Sequence, residues 1–210
     1  MCNAINRPTD RGFTLIGGVL CLDFANTCSG RDGAFYEERI LTLSDLIAWS
    51  LQSECLVWAE NRIETAVNAL NPRQTASLVR TARSIRENVY AVMLAIGDNE
   101  TPSADLLKVL QDHYVACLRV ARFTVHDNYG CWDWRESSVL GAAIFGPILQ
   151  SFFEYLSKID SARLKCCPAL DCKFLFHDFS KNKSRLWCDM AVCGNRAKSR
   201  RFGEKINNEC

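Results

Sequence analysis

The chain reads as an α+β protein, mainly α: a helical body with short N-terminal strands and one β-hairpin, followed by a small cysteine-rich unit. Three observations predict this. Apolar residues recur at helical spacing in long stretches between Pro72 and Lys158. The period changes to two within residues 123–134. Beyond residue 160 the charge changes sign: residues 161–210 hold 11 Lys+Arg against 5 Asp+Glu, and residues 1–160 hold 14 against 19. The expected boundary is therefore Asp160–Ser161, giving units 1–160 and 161–210.

In order along the chain, Phe13 to Gly18 predicts a short strand ended by a turn. Val19 to Phe24 follows as a partner strand or as the first turn of a helix. Ser44 is placed to cap a helix over Asp45–Gln52. Pro72 suits the first turn of a long helix whose apolar face is Leu78, Ile85, Val89, Val92, Met93 and Ile96. Gly97-Asp98-Asn99 stops it. Pro102 and Ser103 start another, with Leu106, Leu107, Leu110, Tyr114, Cys117 and Leu118 on one face. Residues 123–126 and 131–134 form a hairpin around a polar turn. A last body helix, Ser137 to Lys158, is apolar nearly all round in its middle, so it belongs at the centre of the core.

With 210 residues and 48% hydrophobic content, the chain can bury a full core and a small satellite unit. Its 12 cysteines do not look like a disulfide framework. Met1–Gly12 has no apolar leader, and Cys21, Cys28, Cys55 and Cys117 are scattered singly, as buried free thiols are. A reducing cytoplasm fits better. The longest apolar run, Val139–Leu149, falls short of the ~20 residues that span a bilayer, so no membrane is expected.

Cys167, Cys172, Cys188 and Cys193 form a C-x4-C-x15-C-x4-C pattern. Two short cysteine loops supply four soft ligands for a tetrahedral metal and leave no open position for water. One structural Zn2+ per chain is expected, which makes the C-terminal unit a small four-cysteine zinc-finger domain. Cys166 is the rival of Cys167, but Cys167 gives matched loops. Lys165, Lys173 and backbone N–H groups are expected to offset the thiolate charge.

The basic residues cluster on this unit. Ser180 to Arg185 makes a cationic turn with Lys181, Lys183 and Arg185. After Cys193 a helix would set Arg196 and Arg200 on one stripe, flanked by Lys198 and Arg201. Such a face can lie along phosphates, so DNA is the expected partner.

The stretch Ser180 to Lys198, with its string Cys193-Gly194-Asn195-Arg196, resembles the CGNR zinc finger. Gly17-Gly18-Val19-Leu20-Cys21-Leu22-Asp23-Phe24-Ala25-Asn26-Thr27 is similar to the opening of the ABATE domain. The resemblance covers nearly the whole chain. It implies a bacterial, cytoplasmic, stress-induced transcription regulator with the four cysteines on zinc. Leu186 stands where a basic residue is expected before the Trp, and Lys181 where Arg is common; neither touches the ligands.

In the body, Asp23, Asn26 and Thr27 are polar residues in an apolar run, and Arg86 lies within the long helix. One reading is a small-ligand pocket, with Arg86 reaching Asp23. The preferred reading is structural: Asp23 and Asn26 bond loop backbone and hold a tight turn. His113, His126 and His177 show no ligand spacing. No nucleophile elbow, phosphate loop, HExxH or paired-carboxylate arrangement is present, so no enzyme is expected. The reading is a zinc-dependent DNA-binding regulator whose body senses an effector or forms a homodimer. Its rivals are a zinc-scaffolded protein-interaction module and a ligand-binding body with the finger as targeting device.

Overall fold

A computed structural model describes residues 12–31, 33–126 and 129–200. Helix α1 (Leu20–Ala25) leads into the two-residue strands β1 (Cys28–Ser29) and β2 (Glu37–Glu38), which pair antiparallel. Helices α2 (Leu43–Gln52), α3 (Glu60–Asn68), α4 (Pro72–Gly97) and α5 (Ala104–Leu118) follow. Then come the hairpin β3 (Arg122–His126) and β4 (Tyr129–Asp133), helix α6 (Leu140–Lys158), and the hairpin β5 (Leu164–Cys166) and β6 (Leu175–His177). This is the α+β, mainly helical architecture that the periodicities predict.

Several local expectations shift. Residues 13–16 are not a strand; just after them, His177 N–H donates to the Gly17 carbonyl (2.8 Å). Val19 caps α1, so the helical alternative holds there. Thr42, not Ser44, caps α2: its hydroxyl accepts from Asp45 N–H while Asp45 accepts from Thr42 N–H, a capping box. Asn71 and Gln74 make the same box at α4, with Pro72 in its first turn. The hairpin's register runs from Arg122–Asp133 to His126–Tyr129, so Tyr129 and Gly130 belong to the second strand; residues 127–128 lie outside the described set.

Helices α4 and α6 form the centre. Ile85, Val89, Val92 and Met93 of α4 are buried, as are Ile144, Ile148, Leu149 and Phe152 of α6. Trp134, just past β4, lies on α6 where Gly146 leaves room: a Cβ at Gly146 would meet its ring at 2.3 Å. Its indole N–H donates to Gln150 (2.8 Å). Among the described residues no helix is long and apolar enough to cross a membrane.

The alternation of β6 divides two interiors. Leu175 points into the body core, together with Leu164 of β5. Phe174, preceding β6, and Phe176 pack with the four cysteines in a separate cluster. One strand therefore has a face in each, as its period of two allows.

Candidate metal centre and basic face

The metal centre is assembled from two turns. Cys167 follows β5 and is tied back by its N–H to the Phe174 carbonyl (2.8 Å), which brings Cys172 round a tight loop. Cys188 precedes and Cys193 lies within a wide helical turn, Met190–Gly194, capped by Asp189, whose carboxylate accepts from Ala191 N–H (2.7 Å). The four sulfurs lie within 4.8 Å of one another, with Cys172–Cys188 at 3.4 Å and Cys188–Cys193 at 3.6 Å. A tetrahedron with Zn–S bonds of about 2.3 Å needs sulfurs roughly 3.8 Å apart, so the set fits one zinc ion. Thiol bonds from Cys172 and Cys188 hold Cys167 as thiolate, far below the usual thiol range. Cys166 stays outside the group, its sulfur against the Lys173 carbonyl (3.7 Å) and the Tyr90 hydroxyl (3.7 Å). The four protein ligands would hold the metal closed to water, as a structural centre.

Part of the charge around the centre is arranged differently from the expected role of Lys165. Arg196 reaches the Cys193 sulfur (3.3 Å). Arg185 donates to the Trp187 (3.1 Å) and Cys188 carbonyls and lies over the Phe176 ring (4.5 Å). Lys165 instead bonds Asp178 (2.7 Å), which is fully buried and also accepts from Ser180 and Arg185 N–H (2.8 Å each). Burial works to raise the Asp178 carboxyl, but these bonds hold it well below the usual carboxylate range. Asp178 thus organises the 180–185 turn from beneath.

Three cations of the predicted face are paired with carboxylates. Arg196 and Arg200 share one oxygen of Asp171 (2.6 and 3.3 Å), which puts them on a common stripe. Lys183 pairs with Asp160 (2.6 Å). Arg185 is half-buried; Lys181, Lys183, Arg196, Lys198 and Arg200 remain exposed. Arg201 lies outside the described residues. The sequence could not show Asp171 as a partner of this stripe, because 25 residues separate it from Arg196.

The body's polar set is committed to backbone and to ion pairs. Asp23 accepts from Gly17 N–H (2.7 Å). Burial pushes its carboxyl up, while bonds from Gly17 and Ile16 oppose that. Gly18, at φ +79°, admits the Phe179 ring, which a Cβ would meet at 2.6 Å. The Asn26 side chain donates to the Leu175 carbonyl and accepts from its N–H (both 2.8 Å), extending β6 as a strand would. Thr27 hydroxyl donates to the Phe24 carbonyl (2.8 Å). Arg86 is 1% exposed and does not pair with Asp23. It clamps Glu38 through two bonds (2.6 and 2.7 Å) and also meets Glu87 (2.7 Å), which in turn receives Arg31 (3.0 Å). Gly30 N–H donates to the Cys172 carbonyl (3.0 Å), and Tyr90 hydroxyl to the Lys173 carbonyl (2.9 Å). Sequence reasoning missed Glu38, Asp171 and Asp178, whose partners come from other elements or distant turns.

Two family profiles match the chain: the CGNR zinc finger over residues 163–205, and ABATE, described as "putative stress-induced transcription regulator", over residues 18–158. A search of curated proteins found no match. The finger's signature string holds one of the four converging thiolates and the arginine beside it, and the longer match takes in α1 to α6. The chain belongs to the ABATE family and carries a CGNR zinc finger.

Proposed function

We propose that the protein is a transcription regulator that binds duplex DNA through the zinc unit, with the body as sensor or dimerisation domain and no catalytic role, acting in the cytoplasm. The observation that carries this is the helical segment leaving Cys193 with Arg196, Lys198 and Arg200 exposed, beside Lys181 and Lys183 on the adjoining turn. A structural zinc fixes the start of that segment, so its cations meet a phosphate backbone at set spacing. Asp171 tempers the face by holding two of its arginines and Asp160 by holding Lys183, which leaves Lys181 and Lys198 as the first phosphate contacts.

If about four phosphates are neutralised, log K falls against log salt with a slope near −3.6, from roughly −0.9 per contact. Lys198→Ala should reduce the slope by about 0.9. The test is titration of the zinc-loaded full chain with a random duplex pool across a salt series. The full chain is needed because β5 and β6 share the body core. No binding at low salt would end this reading.

A second reading has its own observation. Leu186, Met190 and Val192 are each more than half exposed on the zinc unit. Such a surface favours a protein partner, whose binding would hardly change with salt.

A further inference from the structure

The exposed apolar side chains of the zinc unit divide between two surroundings. Val192 stands beside Glu37, Asp171 and Asp189, carboxylates that outnumber the arginines there, Arg39 and Arg196. Leu186 and Met190 share a different, shallow face. Leu186 follows directly on the cationic turn that carries Lys181 and Lys183. Met190 lies against Gly194, where a Cβ would run into its sulfur, and from Gly194 the helical segment goes on to Lys198. The charged side chains lining this face are turned to the backbone. Arg185 donates to the Trp187 and Cys188 carbonyls, and Asp189 accepts from Ala191 and Val192 N–H. An apolar patch is thus joined to a cationic element at each end.

We propose that Leu186 and Met190 read thymine in the major groove, closing on its 5-methyl group while Lys181 and Lys198 hold phosphates around it. This rests on the DNA reading above and adds what the patch recognises. The major groove, about 12 Å wide, admits a helical segment, and the minor groove, about 6 Å wide, does not. The base edges there present hydrogen-bond donors and acceptors and one methyl group, that of thymine. Leucine carries no group that can pair with the donors or acceptors, and the methionine thioether is only a weak acceptor. The methyl is therefore the feature that both side chains fit, and phosphates on either side match the flanking lysines. Taking one methyl out of water favours binding about fourfold. Val192, more than half exposed like these two, has carboxylates for neighbours, which repel phosphate, so it has no part in this contact.

The probe is the duplex that the zinc-loaded full chain enriches most from a random pool, remade with deoxyuridine for thymidine one position at a time. Deoxyuridine lacks the methyl and keeps the charge and the hydrogen-bonding groups. At one or two positions the exchange should weaken binding about fourfold. Leu186→Ala and Met190→Ala should each shrink that difference, and the double variant should abolish it, with the salt slope and the single zinc per chain unchanged. Leu186→Lys should shrink it too and steepen the slope by about 0.9, as a new phosphate contact does. Val192→Ala should keep the full difference. The proposal is overturned if no position distinguishes thymidine from deoxyuridine, or if the double variant still does. It is equally overturned if the double variant binds the duplex as the wild type does but loses binding to phosphatidylglycerol vesicles, which would assign the patch to a lipid surface. Absence of any duplex binding would sink the DNA reading itself, whereas equal binding to thymidine and deoxyuridine duplexes would sink this proposal alone.

Discussion

In the body, the interior is made from helix faces: Phe24, Trp49, Phe152 and their neighbours are fully buried because α1, α2, α4 and α6 bring apolar stripes together. In the zinc unit, four of the seven buried cluster residues are the cysteines themselves. Removing one side chain from the first leaves a cavity in a surviving core; removing the metal from the second removes the reason for its interior. The difference teaches that stability here has two sources of unlike character, apolar area and coordination, and that β6 sews them together. Leu175 lies on the apolar side, Phe174 and Phe176 on the coordinated side, and Asn26 bonds the strand's backbone from the body.

The largest test of this contrast is metal loss. Chelation, or Cys172→Ser, should cost on the order of 10 kcal/mol of zinc-coupled folding. Hydrogen exchange should then show residues 163–200 losing protection, and α1 and α4 weakening with them as Leu164 and Leu175 leave the core. Full protection of α1 and α4 after chelation would break the idea of a seam.

Arg86→Ala should destabilise the body by about 3 kcal/mol in urea melts, since it takes the two-bond partner from Glu38, only 10% exposed, and leaves it the looser Arg83 contact (3.4 Å). Burial acts to raise the Glu38 carboxyl, yet the bonds from Arg86 hold it below its ordinary 4.5. The pair's contribution is therefore complete above pH 4.5 and is lost as pH falls below that value. The variant should lose this part of the acid sensitivity and keep its zinc content, which sharpens the separation of the two regions.

Asn26→Ala should cost roughly 2–4 kcal/mol by leaving the buried Leu175 N–H and carbonyl unpaired. It is the change that should lower both body stability and zinc affinity, measured by competition with a chelator. Thr42→Ala, at about 1 kcal/mol, should shift the thermal midpoint slightly and leave zinc affinity untouched.

The long helices were legible because they bury one face along their whole length, and α4 begins at Pro72 where the sequence places it. The ligand set was legible for a different reason: zinc demands a residue type and a count, and Cys167, Cys172, Cys188 and Cys193 meet both. What escaped were pairings across the fold. Glu38 lies 48 residues from Arg86, on a two-residue strand with no periodicity to announce it. Phe13–Ile16 has strand-like residues but no strand partner among the described residues: the Gln52 side chain bonds the Phe13 N–H and carbonyl, and the Asn26 side chain bonds the β6 backbone. Arg185 and Arg196 read as free cations in a basic run, whereas both turn back to the metal cage. A run of charge states only what the residues can do, and acceptors such as Asp171 and Asp178 decide what they are used for.

The placement of Leu164 and Leu175 in the body core has a consequence for how the chain is made. Synthesis delivers α1 to α6 before either leucine, so the nascent body waits with two apolar slots open. At about 5–20 residues per second, the stretch from Lys158 to Leu175 takes roughly 1–3 s to appear. During that interval the partly closed body exposes sticky surface, and the segment that will cover it becomes a hairpin only when the later cysteines arrive with metal. Zinc supply during translation, more than its later presence, would then govern how much chain reaches the native state.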